Sequence, residues 1–430
     1  MFAPFDETKA RAVCLKMMAD LEKENCAWTG VFGALVCLDE GGNEVVLRAF
    51  GGSYKGNWNV EGFAPPLFDE EKYKAAIIPN DKKIHELSVA PANESAAQKS
   101  ARDKERLELC NQTLKKIYSL YRFCRFDKKW LTFDDIAEKK LLPTGTGDCA
   151  APKLLSQAFS LCLTPISLAE FYWGKPNGRL VPKNFYPPCD EKCALILPAI
   201  LGLKIIYRDQ NILVVNKPSG LLSVPGRGPE KQDCVVKRAQ KLFPKMIGQP
   251  AVHRLDMDTS GLMVLAFDDK SHRALNAQFE KRLVNKKYIA VLDGVVKEEA
   301  GRVELKHRVD LQNRPRQILD DVYGKLAISE WKRLRVWTRR DEMGKERKAT
   351  SVLFEPLTGR THQLRVAAAM ALGAAIVGDN LYGREGANSF GQGEKPGSGE
   401  RLHLHASDLA FEHPVTGERM EFHSEPGFSY

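Results

Sequence analysis

With 430 residues, 43% hydrophobic and 28% charged, the chain is expected to be a soluble globular protein too long for one core. No stretch approaches the ~20 consecutive apolar residues of a membrane helix. The opening Met1-Phe2-Ala3-Pro4-Phe5-Asp6-Glu7 lacks the basic start and apolar run of a secretory signal, so a cytoplasmic protein without membrane attachment is expected.

The formal net charge of +9 is unevenly spread. Residues 1–200 hold 27 Lys+Arg and 26 Asp+Glu, which leaves +8 for residues 201–430. A basic half suits a polyanion such as nucleic acid, although ordinary solubility charge has the same sign. Nine of the ten cysteines lie between Cys14 and Cys193, and only Cys234 lies beyond. Reduced thiols are expected, most of them small buried hydrophobes.

Two regions are expected, 1–200 and 201–430. The runs Val31–Leu38 and Glu44–Phe50 flank Asp39-Glu40-Gly41-Gly42-Asn43, the pattern of a hairpin within a small α+β module. Within 94–125, Leu107, Cys110, Leu114, Ile117 and Tyr121 recur at spacings of three and four, which predicts a long amphipathic helix. Its Lys and Arg residues read as a solvated face in preference to an RNA contact. Pro143–Cys149 reads as a turn and Pro152–Leu163 as an apolar helix. Cys149, Cys189 and Cys193 are three possible zinc ligands. The Cys-x3-Cys spacing is not the commoner Cys-x2-Cys and no fourth ligand is evident, so the favoured expectation is no metal and no cofactor.

From Ile205 the texture becomes densely structured. Ile212–Asn216 predicts a strand broken by Lys217-Pro218-Ser219-Gly220. Ala251–Gly261 brings His253, Arg254 and Asp256 onto a loop with Leu255 between them. A Thr259-Ser260-Gly261 turn then leads into the apolar strand Leu262–Phe267. On an extended segment Arg254 and Asp256 share a face, opposite His253 and Leu255. A lone Asp near a turn is most often a cap. A helix over Ser271–Leu283, strands over Lys287–Leu292 and 349–355, and an Ala-rich helix after Val366 follow. Residues 385–400 read as a flexible surface loop. Strands and helices interleave without βαβ regularity, so the fold class is α+β around a mixed sheet.

Several motifs then agree in order. They are Val215-Asn216-Lys217-Pro218-Ser219-Gly220-Leu221, His253-Arg254-Leu255-Asp256 with Thr259-Ser260-Gly261, and Lys287-Tyr288-Ile289-Ala290. Gly359-Arg360-Thr361-His362-Gln363-Leu364-Arg365-Val366, Gly378–Gly383 and Arg401–Ala406 follow. From about Ile205 to its end the chain resembles the RluA family of RNA pseudouridine synthases, and its RluA-type members in particular. The match departs at Ala367, where the family usually has His, and at Ala375-Ile376, where it usually has Pro-Ile.

The resemblance implies a catalytic domain on a mixed, largely antiparallel sheet flanked by helices and loops. It implies RNA as partner, either 23S rRNA or a tRNA anticodon stem-loop or both; no DNA is expected, and a monomer is. Asp256 would be the reacting carboxylate. Arg365 would pair with it, Tyr288 would stack on the uracil, and Arg254 would help hold the flipped nucleotide. His253, Leu255, Thr259, Ser260, Gly261, Lys217, Pro218, Arg360, His362 and Gln363 would be supporting motif residues. Two other readings are an RNA-binding or RNA-folding module that needs no catalysis, and a hydrolytic glycosidase, which normally needs two carboxylates.

Overall fold

A computed structural model describes residues 5–54, 56–89, 91, 94–137, 142–189, 191–228, 231–341, 344–383 and 400–430. The chain divides into two compact units, Met1–Lys204 and Ile205–Tyr430.

The first unit is α+β. After α1 (Thr8–Lys23), strands β1 (Gly30–Leu38) and β2 (Glu44–Phe50) form an antiparallel hairpin. Its loop closes where Asp39 accepts the Asn43 N–H at 2.8 Å and Gly42 takes φ 81°. Two long helices follow. In α2 (Glu70–Ser88) Asp69 caps the N-terminus; in α3 (Ala96–Tyr118) Ser95 and Gln98 cap each other's backbone. The predicted helix over 94–125 is thus shorter, and Tyr121 lies beyond it, buried, with its hydroxyl 2.5 Å from Asp148 Oδ1. Leu107 on the predicted apolar stripe is 61% exposed.

A two-stranded ribbon comes next, β3 (Phe123–Cys124) and β4 (Trp130–Leu131), then α4 (Phe133–Ala137). Helix α5 (Ala150–Ser160) is buried on nearly every side, and β5 (Thr164–Trp173), β6 (Phe185–Tyr186) and α6 (Cys193–Leu201) complete the unit. The sheet order is β2-β1-β5-β6. Phe32, Phe50 and Phe171 form its core with one face of α1.

The second unit is built on one large sheet. Its elements in chain order are β7 (Lys204–Arg208), β8 (Ile212–Lys217), α7 (Val235–Leu242), β9 (Ser260–Ala266) and α8 (Asp269–Glu280). Then come β10 (Asn285–Asp293), β11 (Ala300–Val309), β12 (Gln317–Leu319), β13 (Lys325–Arg340) and β14 (Glu346–Pro356). The unit ends with α9 (Gln363–Val366), a π-helical stretch Ala367–Ala371, β15 (Leu404–Glu412) and β16 (Arg419–His423). The strand order is β12-β11-β13-β14-β10-β15-β9-β8-β7, with β16 against β15. The pairing is largely antiparallel, but β9 and β15 run parallel through His405–Ser260 and Ala406–Gly261.

Two apolar clusters fix this sheet. One gathers Ile212, Val214, Leu262, Val264, Leu275 and Phe411 under α8. The other gathers Ala290, Leu292, Trp331, Val352, Phe354, Leu364 and Ala368. The Ala-rich segment after Val366 is α-helical only to that residue and then widens into the π stretch, with Ala367 and Ala368 buried against the sheet. Of the loop expected over 385–400, all but Glu400 lies outside the described residues. Glu400 receives a bidentate pair of hydrogen bonds from Arg339, at 2.6 and 2.8 Å.

Candidate active site

The segment from Ala251 to Gly261 is held by its backbone, through side chains of the loop after β8. Lys217 is fully buried. Its ammonium donates to the carbonyl oxygens of Pro218, Leu221 and Met257 at 2.9, 2.6 and 2.7 Å. Three carbonyls match the three donors of an ammonium. Burial pulls the Lys217 pKa down to about 7, against the opposing charges of Asp258 and Asp256. Ser219 Oγ donates to Asp258 O at 2.6 Å, and Gly220 N–H to Met257 O at 2.9 Å. Ser223 Oγ donates to Leu255 O and accepts Leu255 N–H, at 2.6 and 3.0 Å. These bonds fix residues 255 to 258, so Asp256 projects from a rigid loop, as a reactive group requires.

His253 points into structure. Its Nε2 accepts the backbone N–H of Val264 at 3.1 Å, and its ring stacks on Phe279 at 4.7 Å. An accepting Nε2 means a neutral ring with its proton on Nδ1, and burial pushes the pKa down to about 3. Leu255 is buried, Arg254 exposed and Asp256 between the two.

Thr259-Ser260-Gly261 does not form a simple turn. Ser260 and Gly261 open β9 and pair with β15. Gly261 sits at φ 122°, and a Cβ there would lie 2.3 Å from Ala406 O, so only glycine admits this approach. Ser260 Oγ accepts from Arg401 at 2.5 Å and faces His405 Nδ1 at 2.8 Å, while His405 Nε2 lies 3.0 Å from Ser424 O. The polar chain from Arg401 to Ser424 thus locks the start of β9. Thr259 is 2% exposed, and its hydroxyl has no hydrogen-bond partner among the described residues.

A cavity of about 580 Å³ opens over this loop. Arg254, Asp256 and Thr259 line it from one side, Tyr288 of β10 from another, and Arg360, His362, Gln363 and Arg365 from the segment entering α9. His253 and Leu255 also reach its wall. Lys217, Pro218, Ser260 and Gly261 do not line it and act beneath it. Tyr288 packs against the apolar cluster under β10 and β14. Burial, reinforced by the Asp256 charge, raises its phenol pKa well above the usual value, so it stays neutral.

Arg365 is 2% exposed, and its fork is taken by Asp379: Nε to Oδ2 at 2.8 Å and Nη2 to Oδ1 at 2.7 Å. This differs from the expected direct pairing with Asp256. Burial works against the Arg365 charge, but the Asp379 hydrogen bonds and charge outweigh it, joined by the charge of Asp256. Arg365 therefore faces Asp256 as a cation already anchored from behind. Asp379 also accepts the N–H groups of Leu381 and Tyr382 at 2.9 and 3.0 Å, which ties the Gly378–Gly383 motif to the site.

His362 takes the left-handed conformation at φ 56°, and its Nδ1 lies 2.9 Å from the Tyr382 hydroxyl. That hydroxyl accepts Gln317 N–H at 2.8 Å, so its proton is free to go to Nδ1. His362 then carries its own proton on Nε2, and burial keeps its pKa below the usual value. Gln363 is fully used: its oxygen accepts from Thr358 Oγ1 and Arg360 N, and its nitrogen donates to Ile328 O and Ser329 Oγ. It holds the loop bearing Arg360 in place.

Asp379, Tyr382 and Ser223 were not singled out by the sequence reading as site residues. The Gly378–Gly383 motif contains Asp379 and Tyr382, but nothing in its spacing shows that Asp379 would face Arg365, and Ser223 lies two residues beyond the Val215–Leu221 motif. The site offers the Asp256 carboxylate with the Arg365 cation beside it, an aromatic platform and a basic rim formed by Arg254 and Arg360, while Glu280 and Glu355 also line the cavity. That set suits a nucleobase and a phosphate backbone.

Comparison with known proteins gives the same direction. Residues 211–370 match the family described as RNA pseudouridylate synthase. The chain is 41% identical over 224 residues to the dual-specificity RNA pseudouridine synthase RluA of Yersinia pestis, covering 52% of this chain and 99% of that protein. It is 40% identical to the protein of the same name from Escherichia coli, covering 53% and 94%. Among solved structures, human RNA pseudouridylate synthase domain containing 1 aligns over 53% of this chain and 84% of its own, with 28% identity and a TM-score of 0.41.

Proposed function

The chain belongs to the RluA-type family of RNA pseudouridine synthases, and from that membership we propose that Asp256 is the carboxylate through which it isomerises uridine in structured RNA. The observation that carries this reading is the convergence of Arg254, Asp256, Tyr288 and Arg365 on one cavity of about 580 Å³. The targets we propose are uridines of 23S rRNA, of a tRNA anticodon stem-loop, or of both.

The reaction breaks the N1–C1′ bond of uridine, turns the uracil and rejoins it to C1′ through C5, with loss of the C5 proton and uptake of a proton at N1. No electron enters or leaves. Asp256 acts at the sugar, either by attacking C1′ or by removing a ribose proton. In the first route the N1–C1′ electron pair leaves with the base, and C5 later displaces the carboxylate from C1′. The Arg365 cation steadies the charge that Asp256 carries before the attack and regains when it is displaced. Tyr288, kept neutral, stacks on the uracil while it turns. Extruding the nucleotide from its stem-loop costs a few kcal/mol, which Arg254 and Arg360 at the rim offset through phosphate contacts and by occupying the vacated space.

All of these groups come from one chain, so a monomer suffices as the acting unit. No described helix is long and apolar enough to cross a membrane, and the cytoplasm, where rRNA and tRNA are made, is the proposed location. The first unit, with near-neutral charge, is proposed to adjust target choice rather than to act as a nonspecific clamp.

The test is a map of pseudouridines in RNA from cells with and without the gene, joined to 5-tritium release from the candidate RNAs. Loss of specific pseudouridines and release from the same sites support the proposal. Free uracil among the products would point instead to hydrolysis, and an unchanged map with no release would refute it.

A further inference from the structure

In the first unit, Cys149, Cys189 and Cys193 come together, with all three sulfurs within 4.8 Å of one another. The turn Pro143–Cys149 delivers one thiol, and the segment after β6 delivers two. In a tetrahedral thiolate site with metal–sulfur bonds of ~2.3 Å, sulfurs stand roughly 3.8 Å apart, so small side-chain movements would close the set. We propose that these three cysteines bind one thiophilic divalent cation of the zinc type, with the fourth position filled by water or another donor from solution.

The placement of the cysteines supports a cation held by thiolates. Cys149 is the N-cap of the 11-residue α5, and its side chain makes no capping hydrogen bond. Cys193 is the first residue of the nine-residue α6 and is 1% exposed. Two helix N-termini therefore aim their partial positive charge at the sulfurs, which favours the thiolate form.

The same corner also holds a negative group that a metal would offset. Glu170 is 5% exposed, with Oε1 committed to the Ala151 N–H at 2.8 Å, and its charge acts on both Cys149 and Cys193. A divalent cation would counter the carboxylate and the thiolates together. Three sulfurs are too few for the common iron–sulfur clusters, which take four cysteines. The bound ion would tie the Tyr186–Cys193 segment to the start of α5, and so pin two otherwise separate stretches of the first unit.

The experiment uses the full chain purified under reducing conditions, with zinc counted by elemental analysis. The chelator-stripped chain is then titrated with zinc alone and with cobalt(II), whose visible spectrum reports tetrahedral thiolate ligation. Cys189→Ser is the informative variant, because Cys189 is exposed and its loss need not disturb the fold; Cys162→Ser, an exposed cysteine outside the cluster, is the control. About one zinc per wild-type chain, the same in Cys162→Ser and at least about tenfold weaker retention in Cys189→Ser, is the expected result. The proposal is overturned if the wild type neither carries nor takes up metal, if Cys189→Ser holds it as tightly, or if mass analysis finds two of the three joined in a disulfide. Circular dichroism on each variant shows whether an unfolded chain, and not a lost ligand, explains any change.

Discussion

At the scale of single residues, the proposed role of Arg365 is that of a positioning residue with two tasks. One face of its guanidinium is committed to Asp379 in a buried bidentate pair, and its charge is presented to Asp256. Lysine keeps the charge but cannot reproduce the planar fork. Arg365→Lys should therefore lower turnover by at least about tenfold, with a loss of a few kcal/mol in stability from the half-satisfied Asp379. Single-turnover rates beside urea unfolding separate the two effects, and near-normal turnover would show that only charge matters at this position. The motif containing Arg365 was legible in the sequence, but the direction of its fork was not. Asp379 lies 14 residues further on in a different motif, and only the fold brings the two together.

Among the elements, β9 carries the most structural consequence. The apolar run after Gly261 reads plainly as a buried strand. That Ser260 and Gly261 already belong to it was hidden, because Thr-Ser-Gly has the composition of a turn. What decides the matter is a parallel partner some 145 residues away in sequence, β15, which local composition cannot announce. Gly261 at φ 122° abuts the Ala406 backbone. Adding one methyl group there both strains the backbone and overpacks the contact, a cost of about 2–4 kcal/mol. Gly261→Ala should lower the urea midpoint accordingly and displace Asp256, five residues earlier. A variant as stable as the parent would mean that β9 and β15 are not held at this distance. The helix over 94–125 was overextended for a related reason: Tyr121 continues the spacing of three and four, but it belongs to the core beyond the helix end.

For the whole molecule, the second unit was largely readable from ordered motifs, each of which keeps its residues adjacent in sequence. In the first unit the β1–β2 hairpin and the apolar helix α5 were readable, but the meeting of Cys149 with Cys189 was not, since the two lie 40 residues apart and only the fold brings them together. Buried and partly buried histidines add a property that the sequence alone does not give. Burial holds His253 at about 3 and His403 and His405 at about 4, all below the ordinary imidazole value. The unfolded chain takes up these protons near pH 6.5 and the folded chain does not, so stability is full above about 6.5 and falls as pH drops toward about 4. The urea midpoint should already be lower at pH 5.5 than at pH 7, before most carboxylates titrate. His253→Gln, which retains an acceptor for the Val264 N–H, should shallow that slope. A midpoint flat from pH 7 to 5 would contradict the neutral, buried state of these rings.

In the proposed mechanism Asp256 performs the chemistry and the surrounding basic rim binds the RNA. It is tested most directly by tritium release from RNA carrying 5-tritiated uridine, comparing the parent chain with Asp256→Ala, with RNA affinity measured in parallel. The parent should release tritium, the variant should lose at least about a thousandfold in rate, and its RNA binding should stay within a fewfold of the parent. Release by Asp256→Ala at a rate near that of the parent would contradict it.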